Sequence, residues 1–84
     1  MLERHVPRYY FHHRDGGAFN DETGEELPDD EAARREAMIA LPEMARDMLH
    51  RNGDKQGYVI MVTDESGKPV YSATLNFAGV WLRT

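Results

Sequence analysis

Two adjacent histidines and a nearby aspartate are the residues that most suggest a chemical role. His12 and His13 are followed by Asp15, so imidazole and carboxylate ligands for a metal ion stand close together in the chain. On a β-strand, however, adjacent side chains point to opposite faces, so the two histidines cannot share one ion without leaving strand geometry. We therefore expect surface histidines, and we keep a metal or small-ligand site at His12, His13 and Asp15 as the alternative.

No other set of side chains has the spacing of a catalytic site. Ser66 and Ser72 are not in the glycine-flanked turn that exposes a nucleophilic serine, and His50 is placed to cap the C-terminal end of a helix. The chain has no cysteine, which excludes disulfides, thiol catalysis and iron–sulfur clusters. We therefore predict a protein that is not an enzyme, with no catalytic residues, no bound cofactor and no metal site.

The length of the chain limits it to one domain. Eighty-four residues, of which 40% are hydrophobic, cannot support two separate cores. The N-terminal segment has no apolar run of the length that a signal peptide needs, and no later segment could span a bilayer. The sequence therefore predicts a soluble, cytoplasmic protein without membrane contact.

Charge is distributed unevenly along the chain. The net charge is −5, and seven acidic residues occur at residues 21–31 without a basic one. Ten basic residues are scattered among fifteen acidic ones, whereas a nucleic-acid-binding surface needs a dense basic stripe. Nucleic acid is therefore a disfavoured partner. The acidic run is interpreted as a solvated loop or, alternatively, as a docking surface for a basic partner.

One long helix is predicted at residues 29–52. Asp29 or Asp30 can accept hydrogen bonds from the first free amides, and Asn52 followed by Gly53 is a typical left-handed stop. Pro42 removes one hydrogen bond inside this segment, but the apolar positions continue in phase across it. We therefore expect one helix, kinked near Pro42, rather than two. The positions predicted to face the core are Ala33, Ala37, Met38, Leu41, Met44 and Met48.

Strand signals lie on both sides of the helix. Extended segments are predicted at residues 8–13, 18–20, 25–27, 57–63 and 69–77, with a glycine turn at residues 15–17. Tyr9, Phe11 and Leu75 are predicted to meet the helix. The fold class is therefore α+β, with a small antiparallel sheet of three to four strands in the order β(β)αββ and one helix on one face. The expected boundaries are an N-terminal extension at residues 1–7, a single domain at residues 8–77 and an apolar C-terminal tail at residues 78–84.

The strand at residues 57–63 has apolar side chains on both faces. Tyr58, Ile60 and Val62 alternate with Val59 and Met61, whereas one helix covers one face of a small sheet. The second face needs a cover, which is either the tail of the same chain or a second copy of the protein. We predict a homodimer or a module that binds a protein partner. Its predicted interaction surface consists of Tyr10, His12, Val59, Met61, Val80, Trp81 and Leu82.

The order of motifs resembles a family of small bacterial proteins. An Arg-Tyr-x-Phe-His opening at residues 8–12, an Asp-Gly turn at residues 15–16, a Gly-x-Glu-Leu-Pro-Asp segment at residues 24–29 and an alanine-rich helix carry the resemblance. That family is known chiefly from alphaproteobacteria and has no assigned function, so the resemblance implies a fold and no activity. It covers residues 7–77, and Pro42 departs from its pattern. In element order the chain is also similar to HicB-type antitoxins, whose small sheet and single helix support association.

Overall fold

One helix and one antiparallel sheet make up the described part of the chain, residues 5–15 and 17–83 of a computed structural model. The elements are β1 (Arg8–Arg14), β2 (Ala18–Phe19), β3 (Glu25–Glu26), α1 (Asp30–Asn52), β4 (Lys55–Thr63) and β5 (Pro69–Ala78). The strands lie in the order β2-β1-β4-β5, and β3 pairs with the start of β1. The predicted α+β fold is confirmed. The described strands number five rather than three to four, because both two-residue segments pair with β1.

The two ends of α1 follow the signals in the sequence. Asp29 is the N-cap, and its side chain accepts a hydrogen bond from the amide of Ala32 at 2.9 Å. At the other end Gly53 has a φ of 97°, which glycine adopts without a steric penalty. Gln56 then donates its side-chain amide to the carbonyls of Leu49 and Gly53, two groups that the helix leaves without an intrahelical partner. Within the described residues no helix combines the length and apolar character needed to cross a membrane.

The helix runs through Pro42 without interruption, so the prediction of one helix rather than two is confirmed. Proline has no amide proton to donate to the carbonyl of Met38, four residues earlier. Both residues lie on the exposed side of the helix, where water can bind that carbonyl and reduce the cost of the lost bond. This exposure also shows that Met38 was wrongly predicted to face the core.

The core lies between α1 and the sheet. Phe11, Met44 and Met48 are partly buried around it, in agreement with the predicted helix face. Leu75 was predicted to belong to the core but is exposed, because β5 is an edge strand at the margin of the area that the helix covers. The buried side chains are Tyr9, Ala33, Ala37, Leu41, Ala45, Tyr58, Ile60 and Val62.

A buried hydroxyl joins β1 to the first turn of α1. The Tyr9 hydroxyl donates to a carboxylate oxygen of Asp30 at 2.7 Å. The hydrogen bond to Asp30, followed by burial, raises the pKa of Tyr9 to about 12. The hydroxyl therefore stays protonated, and the bond persists, across the neutral pH range.

Part of the predicted N-terminal extension contacts the domain. The His5 Nε2 atom lies 2.8 Å from a carboxylate oxygen of Glu65, and the carbonyl of Pro7 accepts a hydrogen bond from the amide of Leu27 at 3.1 Å. Residues 1–4 of that extension, Gly16 in the predicted glycine turn and Thr84 at the end of the predicted tail lie outside the described residues.

The C-terminal tail does not fold back over the sheet. After β5 the amide of Gly79 donates to the carbonyl of Asp54 at 2.7 Å. Beyond it Val80, Trp81 and Leu82 are 77%, 87% and 92% exposed. The tail of the same chain is therefore not the cover of the second sheet face, which removes one of the two covers considered from the sequence.

Leu41 tests the assignment of the helix face, because it is 5% exposed whereas Ile39 in the same helix is 52% exposed. We expect Leu41→Ala to lower the free energy of unfolding by about 2–4 kcal/mol through lost burial and a residual cavity. The matched control, Ile39→Ala, should change it by less than about 0.5 kcal/mol. Urea denaturation measures both, and equal losses in the two variants would contradict the assigned face.

Candidate functional site

In the described residues no helix or second sheet packs on the sheet face opposite α1, which we call the open face, and the loop after β2 contacts it along β1. It carries Tyr10 and His12 from β1 and Val59 and Met61 from β4, with His12 directly opposite Met61 in the register. The structure thus brings these four residues of the predicted interaction surface together on one face. Three β5 side chains of the same face are polar, namely Ser72, Thr74 and Asn76.

His12 is held by two hydrogen bonds within the protein. The amide of Asp21 donates to the Nδ1 atom at 3.1 Å, and the Nε2 atom lies 3.1 Å from the Oγ1 atom of Thr63. Because an amide can only donate, Nδ1 is the acceptor, and Nε2 carries the proton that it donates to Thr63. Both ring nitrogens therefore have protein partners. His12 joins the loop after β2 to the end of β4.

His13 points to the other side of the sheet. Its ring stacks on Phe19, with 4.7 Å between the ring centroids. The side chains of His12 and His13 thus point to opposite faces of β1, as expected for adjacent residues of a strand. Nowhere in residues 5–15 and 17–83 do three or more histidine, aspartate or glutamate side chains come close enough to hold a metal ion.

The Asp21 carboxylate organises the loop that follows β2. It accepts hydrogen bonds from three backbone amides, those of Phe11 at 3.1 Å, Thr23 at 3.0 Å and Gly24 at 3.1 Å. Burial opposes its ionisation, but these three bonds and the neighbouring His12 outweigh burial and hold the pKa of Asp21 below its ordinary value. The loop is thereby fixed against β1.

Glycine is required at position 24 of this loop. Gly24 has a φ of 72°, which residues with a side chain rarely adopt. A Cβ atom there would lie 2.8 Å from Cγ of Arg8 and 2.9 Å from Cε1 of Tyr10. The loop backbone therefore lies directly against these two side chains, and Tyr10 is held at the edge of the open face.

Two hollows adjoin His13, one on each side of β1. The first, about 280 Å³ in volume, lies between the short strand β2 and the open-face residues Val59 and Met61. The second, about 410 Å³, lies between α1 and β1 and is lined by Phe11, His13, Asp15, Met44, Asp47 and Met48. The Nδ1 atom of His13 is buried and has no hydrogen-bond partner in the described part of the chain.

The role of Asp21 was not predicted from the sequence, where the acidic run was interpreted as solvated. The signal was present, however. An aspartate followed two positions later by threonine and then by glycine is typical of a turn in which the carboxylate accepts from the backbone amides that follow. The same pattern occurs at Asp64, whose carboxylate accepts from the amides of Ser66 and Lys68, each at 2.9 Å.

The lowered pKa of Asp21 predicts a loss of stability in acid. A carboxyl group with a depressed pKa in the folded state stabilises the fold above its unfolded-state pKa of about 3.9, and this contribution is lost as the pH falls through the folded-state value. We expect Asp21→Asn to lower the free energy of unfolding at neutral pH by about 1–3 kcal/mol and to weaken its dependence on pH below about 4.

The matched control for this prediction is Glu22→Gln, which removes the same charge from the exposed neighbouring residue. Thermal and urea unfolding between neutral pH and about pH 2 measure the effect. A pH dependence that is unchanged in Asp21→Asn would contradict the role assigned to this carboxylate.

Comparison with known proteins yields a family and no closer relative. A search of curated proteins and a search of solved structures each return no match. A family model described as a domain of unknown function (DUF6894) matches residues 8–76. The match runs from the start of β1 into β5 and includes the helix, the Asp21 loop and the open-face residues. Because it covers well over half of the chain, the protein belongs to the family of domains of unknown function DUF6894.

Proposed function

We propose that this chain is a non-enzymatic module of a cytoplasmic bacterial protein and that it associates with a second copy of itself. The observation that carries the proposal is the exposure of the C-terminal tail. Trp81, the one tryptophan of the chain, is 87% exposed between two equally exposed aliphatic residues. Exposed apolar surface of this kind is costly in water, and it usually marks an interface.

The open face supports the same proposal. Val59 is half-buried and Met61 is exposed at the centre of the sheet, and among the described residues no helix or second sheet covers them. A two-fold dimer is the commonest way to bury such surface, because one patch then serves both subunits. The resemblance in element order to HicB-type antitoxins agrees with a role in association.

A basic partner at the acidic run has less support. Side chains of the acidic run at residues 21–31 are engaged within the protein, since Glu26 pairs with Arg8 at 3.1 Å and Glu31 pairs with Arg34 at 2.9 Å. Asp29 caps α1, and Asp21 accepts from three backbone amides. These carboxylates stabilise the fold, which leaves fewer of them to recognise a partner.

Removal of the tail tests self-association. We expect the full-length protein to sediment as a dimer in the micromolar range and a variant lacking residues 79–84 to sediment as a folded monomer. Trp81→Ala alone should weaken the dimer about 30-fold or more, the effect of losing an aromatic contact worth about 2 kcal/mol. The control, Met38→Gln, changes another exposed apolar residue and should leave the dimer intact.

Sedimentation velocity with circular dichroism on the same samples measures both association and folding. Full-length protein that stays at its monomer mass of 9.7 kDa across the micromolar range would contradict the proposal.

A small-ligand site beside His13 is a second candidate, favoured by the buried Nδ1 atom without a partner in the described residues. The hollow between α1 and β1 adds the carboxylates of Asp15 and Asp47 to an apolar lining that includes Met44 and Met48. If the ligand is a metal ion, zinc or nickel should raise the melting temperature by mass action, and His13→Ala should remove that shift. His12→Ala is the comparison, because both nitrogens of that ring already have partners. If saturating zinc or nickel leaves the melting temperature unchanged, the site does not bind a metal ion.

A further inference from the structure

We propose that β5 pairs edge to edge with β5 of a second copy. The two strands would be antiparallel about a two-fold axis at Asn76, and the two sheets would form one continuous sheet across the dimer. This inference rests on the proposed self-association and names the surface that carries it. It also commits to a register, which makes it testable residue by residue.

β5 forms a long edge of the sheet. Within residues 5–15 and 17–83 its one neighbouring strand is β4, whereas the other edge of the sheet is divided between the short strands β2 and β3. β5 has ten residues and so spans about 33 Å. Natural edge strands are usually protected by charges, prolines or bulges. In β5 the proline, Pro69, and a bulge at Val70 lie at the first two positions, and residues 71–82 contain no charged side chain.

Backbone groups of β5 point to the free edge. Gly79 lies opposite Asp54, and its amide donates to the carbonyl of that residue. Because alternate residues of an antiparallel strand direct their backbone groups to the same side, Leu75 and Phe77 bond to β4 in the same way. The amides and carbonyls of Thr74 and Asn76 therefore point away from β4. A second strand can bind them without any change in the sheet.

The uncharged stretch at residues 69–82 sets the register. Its centre lies between Leu75 and Asn76, and of these two residues Asn76 directs its backbone groups to the free edge. Pairing about that residue places Leu75 opposite Phe77 of the second copy, and it does so twice by symmetry. These two side chains are on the helix side of the sheet and are 38% and 37% exposed in the single chain. The same register places Tyr71 opposite Trp81, which gives the exposed tryptophan an aromatic cross-strand partner.

The tail favours a second copy over an extended peptide from another protein. The register of β4 with β5 ends at Lys55 and Ala78, so the tail continues past the strand that supports β5. In the two-fold arrangement each tail runs beside the first residues of β5 in the other copy, and both tails are used. Identical strands without charges also meet without like-charge repulsion along residues 69–82.

Single cysteines test the register, because the natural chain has none. In Asn76→Cys the two thiols would face each other across the axis, with Cα atoms about 5.5 Å apart, which suits a disulfide. We expect this variant to form a covalent dimer almost completely in a glutathione redox buffer. The matched control is Ser72→Cys on the same strand and face. Its thiols would be about 27 Å apart, so it should stay unlinked.

Non-reducing electrophoresis at low micromolar protein measures the cross-linking. Failure of Asn76→Cys to link, or equal linking in Ser72→Cys, would overturn the proposed register and edge contact.

The hydrogen bonds across the edge give a second test. Asn76→Pro removes the outward amide at the axis, whereas Asn76→Ser keeps it. We expect the proline variant to sediment as a monomer and the serine variant as a dimer, while Met61→Lys on the open face also stays dimeric.

Amide exchange of the unmodified protein provides the same information without a substitution that could unfold the chain. The Thr74 and Asn76 amides should be protected at high protein concentration and should exchange readily on dilution.

The outcomes separate this inference from the proposed function. If the unmodified protein is monomeric at every concentration, both the proposed self-association and the β5 edge contact are wrong. A dimer that survives Asn76→Pro, leaves the Thr74 and Asn76 amides unprotected and is lost in Met61→Lys would overturn the edge contact. Self-association would then stand, with the open face as its surface.

Discussion

The described part of the chain has a single layer to cover its sheet, the helix α1, and this constraint decides which apolar side chains are buried. Small residues such as Ala33 and Ala37 let the helix lie close to the central strand β4, where Tyr58 and Val62 are almost fully inaccessible. The helix cannot also reach the open face, the free edge of β5 or the tail. Apolar residues at those places are exposed for that reason, and we propose that an interface between copies buries those along β5 and the tail.

Polar contacts stabilise the parts of the fold that the helix does not reach. Asp21 and Asp64 each fix a turn through backbone amides, and Arg8 connects the two turns by bonding to the Glu65 carboxylate and the Thr23 carbonyl. Hydrogen bonds from Ser66 and Lys68 lower the pKa of Asp64, and those from Arg8 and His5 lower the pKa of Glu65. Acidic side chains of this negatively charged chain thus hold its turns in place. The segment at residues 69–82, by contrast, contains no charged side chain.

Local signals in the sequence were enough to predict the helix and the main strands. Asp29 and Gly53 mark the helix ends. The covered side of β4, which carries Tyr58, Ile60 and Val62, could not be predicted, because both faces of that strand are apolar. The exposure of Leu75 could not be predicted in this way, because periodicity gives the side on which a residue lies and not how far the covering helix extends. Strand order, and with it the free edge of β5, depends on pairing between distant segments that no local pattern encodes.

Contact between copies along β5 is the central claim, and isotope-filtered NMR on a mixture of labelled and unlabelled protein tests it most directly. We predict nuclear Overhauser effects between copies from Leu75 to Phe77 and from Tyr71 to Trp81 at concentrations where the protein is dimeric. A dimer that shows contacts between copies at Met61 and Val59 instead, or a protein that tumbles as a monomer with no such effects, would contradict it.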